Sequence, residues 1–301
     1  MKITTTLFVI GLFTCNCIHA IEVQGHRGAR SVLPENSLAG FQYALEVGVD
    51  TLELDTGVTK DGHVVIVHDQ KVNTTICQNK DGSPIQEARL INKLTLKELK
   101  MLDCGSLVNP RFTEQTLRPL TEIPTLRELF ELVNNSTASQ ADVVKFNIET
   151  KSDPKFPDAQ PNPRIFASLI LNLIDEYELS DRVTLQSFDH RTLLAAKSLN
   201  PDIKLAALFD SDLSDWVTPT LAAKADIVSP MHHYLSAEEV NKIHAAGLTV
   251  IPWTANKESE WLRLINMNVD GIITDDPKPL IDMLRDVDSV TEPPHNASSQ
   301  H

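Results

Sequence analysis

Short β-branched apolar runs recur along the chain, each followed by a polar loop and then by a segment with helical spacing. The runs cover residues 23–26, 51–55, 143–149, 183–187, 204–208, 226–230, 249–253 and 271–274. Apolar positions at helical intervals follow in 37–46, 164–177, 191–199, 237–245 and 258–266. Ser236 with Glu239, and Thr125 with Glu128, have the Ser/Thr-x-x-Glu form of a capping box, and Gly48 and Gly247 stand where helices should stop. Short buried strands alternating with helices predict a parallel sheet covered on both faces. Eight such units between residues 21 and 287 predict an α/β chain folded as a closed (β/α)8 TIM barrel rather than an open doubly wound sheet. No glycine-rich G-x-G-x-x-G turn follows any run, which excludes a dinucleotide-binding sheet.

One interval breaks the rhythm. Residues 57–122 read as an insertion after the second strand, over the barrel mouth. It opens with a hairpin turning at Asp61-Gly62 and contains one short helix, 96–101.

The ends of the chain read differently. Residues 1–20 have the form of a secretory signal: Lys2, an apolar run over 7–13, and a small residue at Ala20. That run is far shorter than the ~20 residues needed to span a bilayer, so no stable membrane insertion is expected. The mature chain is expected to be exported, to a periplasm or beyond. Residues 288–301 are polar and read as a disordered tail.

Composition narrows the function. With 27 Lys+Arg against 41 Asp+Glu the net charge is −14. A nucleic-acid partner is excluded, because such binding rests on neutralising phosphates. A small anionic substrate is not, because a local cation or metal overrides the global field. Of the four cysteines, Cys15 and Cys17 fall in the signal. Cys77 and Cys104 either pair, in an oxidising compartment, or stay as buried thiols. A bridge would contribute about 3 kcal/mol by the chain-entropy model.

In a (β/α)8 barrel chemistry sits at the C-terminal ends of the strands. Read in order, those ends carry His26-Arg27, Glu53 with Asp55, His68-Asp69 from the hairpin, Glu149 with Lys151, Gln186 with Phe188, and Trp253. Glu53 and Asp55 are two apart and so share a face, while Leu52 and Leu54 point to the helix layer. Two inward carboxylates repel strongly, and Glu149 adds a third. Such a trio describes a Ca2+ or Mg2+ site. His26 and His68 suit acid and base roles, and Arg27 and Lys151 suit phosphate oxygens. Jointly these parts predict metal-assisted cleavage of a phosphate ester. Gln186, Phe188 and Trp253 are expected to line the pocket. Glu35-Asn36 and Asp275-Asp276 read as helix-start residues, and His63, His232 and His233 as surface residues.

The same residues resemble the glycerophosphodiester phosphodiesterase family. The resemblance is carried by His26-Arg27-Gly28, Pro34-Glu35-Asn36-Ser37, Glu53-Leu54-Asp55, Asp61-Gly62 with His68-Asp69, 94–99, 123–126, 147–151, 186–188 and 274–277. It implies a barrel that hydrolyses glycerophosphodiesters to an alcohol and sn-glycerol 3-phosphate. It also implies His26 and His68 as the acid/base pair, Glu53, Asp55 and Glu149 on one divalent ion, and Arg27 and Lys151 on phosphate. The implied route is attack of the glycerol 2-hydroxyl on phosphorus, through a cyclic phosphate that water opens. The chain departs from the family where many members carry Arg-Thr-Thr after His-Asp and it has Asn73-Thr74-Thr75. Two other readings compete: a phospholipase D-like enzyme on bulky phospholipids, and a surface-binding protein on an enzyme scaffold. Sequence leaves the head group, the choice of ion and the oligomeric state open.

Overall fold

The computed structural model describes residues 21–291, with side chains through Asp286. The proposed signal, residues 1–20, lies outside the described residues, as does 292–301.

Eight parallel strands form the barrel: β1 Glu22–Gly25, β2 Thr51–Val58, β6 Lys145–Thr150, β7 Val183–Ser187, β8 Lys204–Phe209, β9 Ile227–Pro230, β10 Thr249–Val250 and β11 Gly271–Thr274. Hydrogen-bonded order runs β10-β9-β8-β7-β6-β2-β1-β11. The seam between the end strands is tied by Asp270 N donating to Val250 O (3.0 Å), Ile273 N to Pro252 O (3.1 Å) and Ala255 N to Ile273 O (3.0 Å). The expected barrel is therefore the observed one.

A helix follows each barrel strand: α1 Leu38–Val47, α3 Leu126–Asn134, α4 Pro163–Glu176, α5 His190–Leu199, α6 Val217–Ala222, α7 Ala237–Ala245, α8 Glu258–Asn266 and α9 Pro277–Thr291. Both expected capping boxes form, at Thr125 and Ser236, and Gly48 closes α1 at φ 95°. Three of these helices lie outside the segments given above for their helical spacing. The first, α3, showed only its cap, and α6 is a short Thr/Pro-containing turn with little periodic signal. The third, α9, runs to Thr291, past the point where the sequence places a disordered tail at Asp288. Leu280 and Ile281 anchor it on the barrel, and a helix so nucleated extends at little cost per residue.

Strand boundaries also shift. The expected run at 143–149 begins instead at Lys145, because Val143 is exposed in the preceding turn. The run at 249–253 pairs as a strand only through Val250. Beyond it, Trp253 meets Met231 as an isolated bridge.

The insertion lies between β2 and α3. Strand β3, Val64–Ile66, pairs antiparallel with the end of β2 across a turn in which Gly62 has φ 85°. Strands β4 Gln78–Asn79 and β5 Leu102–Asp103 pair with each other, and helix α2, Leu96–Leu99, is shorter than expected. The segment has its own small core of Val65, Val72, Ile91, Leu94, Leu99, Leu102 and Ile123. Cys77 and Cys104 are bridged and belong to it. Gln115 Nε2 donates to the carbonyls of Arg30 (2.6 Å) and Leu33 (2.9 Å), which fastens the insertion to the loop after β1.

The alternation on β2 separates two environments. Leu52 and Leu54 are fully buried in the main core with Phe41, Leu45, Phe130 and Phe146. Inside the barrel, Ala206, Ile227, Ile251 and Ile273 form one apolar flank. The other flank, on β1, β2, β6 and β7, is polar: Gln24, Glu53, Asp55, Asn147, Glu149 and Gln186, all buried.

Candidate active site

Strand register brings the acidic residues together. Asp55 stands beside Glu149 across the β2–β6 pair, and Glu53 lies two residues below on the same inward face. One oxygen from each of Glu53, Asp55 and Glu149 lies within 4.8 Å of the others, and their exposures are 2%, 1% and 6%. Such crowding is costly without a cation. Burial and the charge of Asp55 push the Glu53 carboxyl well above its ordinary range, and burial also raises Glu149. Asp55 is held low, against its burial, chiefly by Arg27.

Neighbouring groups fix the oxygens. Gln186 Nε2 donates to Glu53 Oε1 (2.7 Å), and the backbone N–H of Arg27 donates to Glu53 Oε2 (2.9 Å). That donor is aimed by a tight turn in which Arg27 has φ 51° and Gly28 φ 85°. A Cβ on Gly28 would come within 2.8 Å of the Gly40 backbone, so the turn needs glycine there. Asn36, also at positive φ, donates to Asp55 Oδ2 (2.9 Å). Below the trio, Asn147 Nδ2 bridges Gln24 (2.8 Å) and Gln186 (3.1 Å).

Two imidazoles approach from different sides. His26 Nε2 lies 3.9 Å from Glu53 Oε2, while Nδ1 donates to Asp275 Oδ1 at 2.6 Å. His68 sits by Asp55 and Glu149, close enough to bias the charge of both, and its Nδ1 contacts Asp69 Oδ1 at 2.8 Å. In each ring the carboxylate takes the Nδ1 proton and leaves Nε2 free for chemistry. Burial and the charge of Arg30 press His26 down to about 4, outweighing Asp275, so the ring is neutral at neutral pH.

The two predicted phosphate cations also lie in the cavity. Lys151 Nζ is 2.7 Å from Glu149 and 3.7 Å from Asp55. Arg27 pairs with Glu35 at 2.8 Å. Its Nε is buried 3.1 Å from the Asp55 carboxylate, an ion pair without hydrogen-bond geometry. Phe188 and Trp253 meet edge to face, 5.6 Å between centroids, on the wall. Together these groups line a cavity of about 510 Å³ at the C-terminal ends of the strands.

Several residues differ from the sequence expectation. Gln186 lines the cavity as expected, but its amide is engaged by Glu53 and Asn147 rather than left open to substrate. Glu35 and Asn36 brace Arg27 and Asp55, while Ser37 caps α1. Asn73, standing where many family members have a cation, donates to Asp69 Oδ2 (2.8 Å) and so holds the partner of His68. His232, expected on the surface, is buried, and with His233 it lines the cavity. His63 is on the surface as expected. Asp275 is the main omission. It is buried, it holds His26, it pairs with Arg30 (2.6 Å), and Asn256 Nδ2 steadies its second oxygen (2.8 Å). Its position at the end of the last strand was the available signal, but an acid before a proline-led helix also reads as a cap.

Known proteins resemble the chain over most of its length. Residues 26–279 match the model of the glycerophosphoryl diester phosphodiesterase family. A glycerophosphodiester phosphodiesterase of Caldanaerobacter subterraneus is 33% identical over 264 residues, 87% of this chain and 97% of that one. The crystal structure of a Silicibacter pomeroyi protein matches with TM-score 0.83 at 27% identity, over 89% of this chain and 94% of the other. An Oleispira antarctica phosphodiesterase, solved with the product sn-glycerol-3-phosphate, matches with TM-score 0.72 at 27% identity, over 88% and 96%.

Proposed function

The chain belongs to the glycerophosphoryl diester phosphodiesterase family and is a phosphoric diester hydrolase, and we propose that it is an exported enzyme that needs one divalent ion and works through His26 and His68. The observation that carries this reading is the convergence of three buried carboxylates between two carboxylate-oriented imidazoles. The donor set fits a hard cation of the Ca2+ or Mg2+ class: all oxygens, more negative charge than Arg27 and Lys151 neutralise, and room in the cavity for water or phosphate. Glu53, Asp55 and Glu149 would hold it, and when bound it would supply positive charge to the phosphate oxygens.

The protein's own groups then have definite tasks. Arg27 and Lys151 line the cavity and bind phosphate oxygens. One imidazole takes the proton of the glycerol 2-hydroxyl as its oxygen bonds to phosphorus. The other gives a proton to the departing alkoxide as its P–O bond breaks, leaving a cyclic glycerol phosphate. In the second half water bonds to phosphorus, the bond to the 2-oxygen breaks, and the rings exchange roles to yield sn-glycerol 3-phosphate. The enclosed, neutral His26 suits the acceptor role in the first half, which leaves the donor role to His68. Export agrees with the form of residues 1–20 and with the Cys77–Cys104 bridge.

The direct test is release of glycerol 3-phosphate from glycerophosphocholine by chain 21–301. Absence of release from any glycerophosphodiester, with the ion present, would overturn the reading. Asp275 is expected to act through His26. Asp275→Asn should lower kcat about 10- to 100-fold with KM little changed, because the amide no longer fixes the ring's proton on Nδ1. A matching rise in KM at constant kcat would remove that role.

A further inference from the structure

The two imidazoles are held by different parts of the fold. His26 follows β1 directly and its partner Asp275 follows β11, so closure of the barrel fixes both. His68 and its partner Asp69 belong to the insertion, whose regular elements are short and whose core is its own. The orientation of His68 therefore depends on what fastens the insertion locally.

A continuous set of contacts leads from His68 to the disulfide. Asp69 Oδ1 meets His68 Nδ1 at 2.8 Å, and Asp69 Oδ2 accepts from Asn73 Nδ2 at 2.8 Å. The Asn73 amide is clamped from its other side, because its Oδ1 accepts from the backbone N–H of Thr75 at 3.0 Å. The Asn73 carbonyl accepts from the N–H of Cys77 at 2.9 Å. The turn 73–77 thus begins at the residue that holds Asp69 and ends at a bridged cysteine. Upstream it is anchored by Val72 N donating to Arg89 O (3.0 Å) and Ile91 N to Gln70 O (2.9 Å). Downstream the anchors are the Cys77–Cys104 bridge and the two-residue pairing of β4 with β5. So short a strand pair is weak alone, which makes the covalent link the main restraint. Cys104 is a firm base for it, since its N–H donates to Thr121 O at 2.7 Å. His68, Asp69, Asn73, Cys77 and Cys104 all border one recess of about 30 Å³, so the bridge lies directly behind the support of the ring.

We propose that Asn73 and the Cys77–Cys104 bridge are positioning residues for the diesterase reaction. The bridge fixes the turn that keeps Asn73 on Asp69, and Asp69 in turn keeps His68 aimed at the site. Full activity then requires the oxidised bridge. The proposal rests on the role given to His68 above and adds thiol–disulfide control to it. Reduction by a dithiol is balanced: one thiolate attacks a bridge sulfur, the S–S bond breaks, and the second thiolate resolves the mixed disulfide. Cys77 and Cys104 end as thiols, and the dithiol ends as its own disulfide.

The experiment compares the oxidised protein, the same protein reduced in its folded state by a dithiol, the double variant Cys77→Ser/Cys104→Ser, and Asn73→Ala, all on glycerophosphocholine with the divalent ion present. Reduction should lower kcat about tenfold with KM nearly unchanged, as loss of an outer hydrogen-bonding partner does, and reoxidation should restore it. The serine pair should match the reduced protein, and Asn73→Ala should show a similar loss. Adding Asn73→Ala to the serine pair should lower kcat little further, because both break one link. Calorimetric binding of Ca2+ should be the same in every form, since the carboxylate trio stands on β2 and β6. Should the serine pair fail to fold, the reduced wild type and Asn73→Ala decide between the same results. A kcat indifferent to the bridge, fully additive losses, or a loss carried by KM or by Ca2+ binding overturns the proposal and leaves the diesterase reading standing. Absence of turnover of any glycerophosphodiester by the oxidised protein overturns both.

Discussion

Alanine at His26 or at His68 is expected to lower kcat for glycerophosphocholine hydrolysis by about 10²- to 10⁴-fold, the span typical of a lost general acid or base. The two variants should differ in stability. His26 is buried, and its removal leaves Asp275 with Arg30 and Asn256 as remaining partners, so the fold should survive with a lower melting temperature. His68 is one-third exposed and lies on the hairpin connection, so its loss should leave the melting temperature nearly unchanged. Steady-state rates together with thermal melts check both points. Near-wild-type turnover in either variant would take that ring out of the mechanism.

Metal removal is the second large effect. Stripping the protein with a chelator should lower turnover by at least about 10³-fold, equivalent to the several kcal/mol that a divalent ion contributes to charge on phosphoryl oxygens. Added Ca2+ or Mg2+ should restore it. The expectation follows from crowding: Glu53 and Glu149 are both pushed toward the protonated form by burial, with further repulsion from Asp55. Without a cation some of the trio would hold protons and accept hydrogen bonds poorly. Activity that persists in chelator, after the protein is shown to be metal-free, would contradict this.

Much of the architecture could be read from sequence because the barrel imposes two strong periodicities. Leu52 and Leu54 against Glu53 and Asp55 already divide helix layer from barrel interior, and the register of β2 on β6 completes the division. The local caps at Thr125 and Ser236 were equally legible, since a capping box is set within four residues. What escaped was non-local. Asp275 lies 249 positions from His26, and only closure of β11 onto β1 brings them to 2.6 Å. Asn73 and Asp69 form their bond inside a loop-rich insertion with little repeating pattern to predict it. His232 looked like a surface residue because a His-His pair after a strand carries no mark of burial. The tail was placed from Asp288, inside α9, because polar composition hid the helix's continuation past the last packed turn.

The central claim is that Glu53, Asp55 and Glu149 share one divalent ion. Calorimetric titration of metal-free protein with Ca2+, then with Mg2+, tests it without depending on turnover. The account predicts saturation at one ion per chain, lost or weakened by at least about tenfold in Asp55→Asn and in Glu149→Gln. Absence of saturable binding, or binding that both substitutions leave intact, would contradict it.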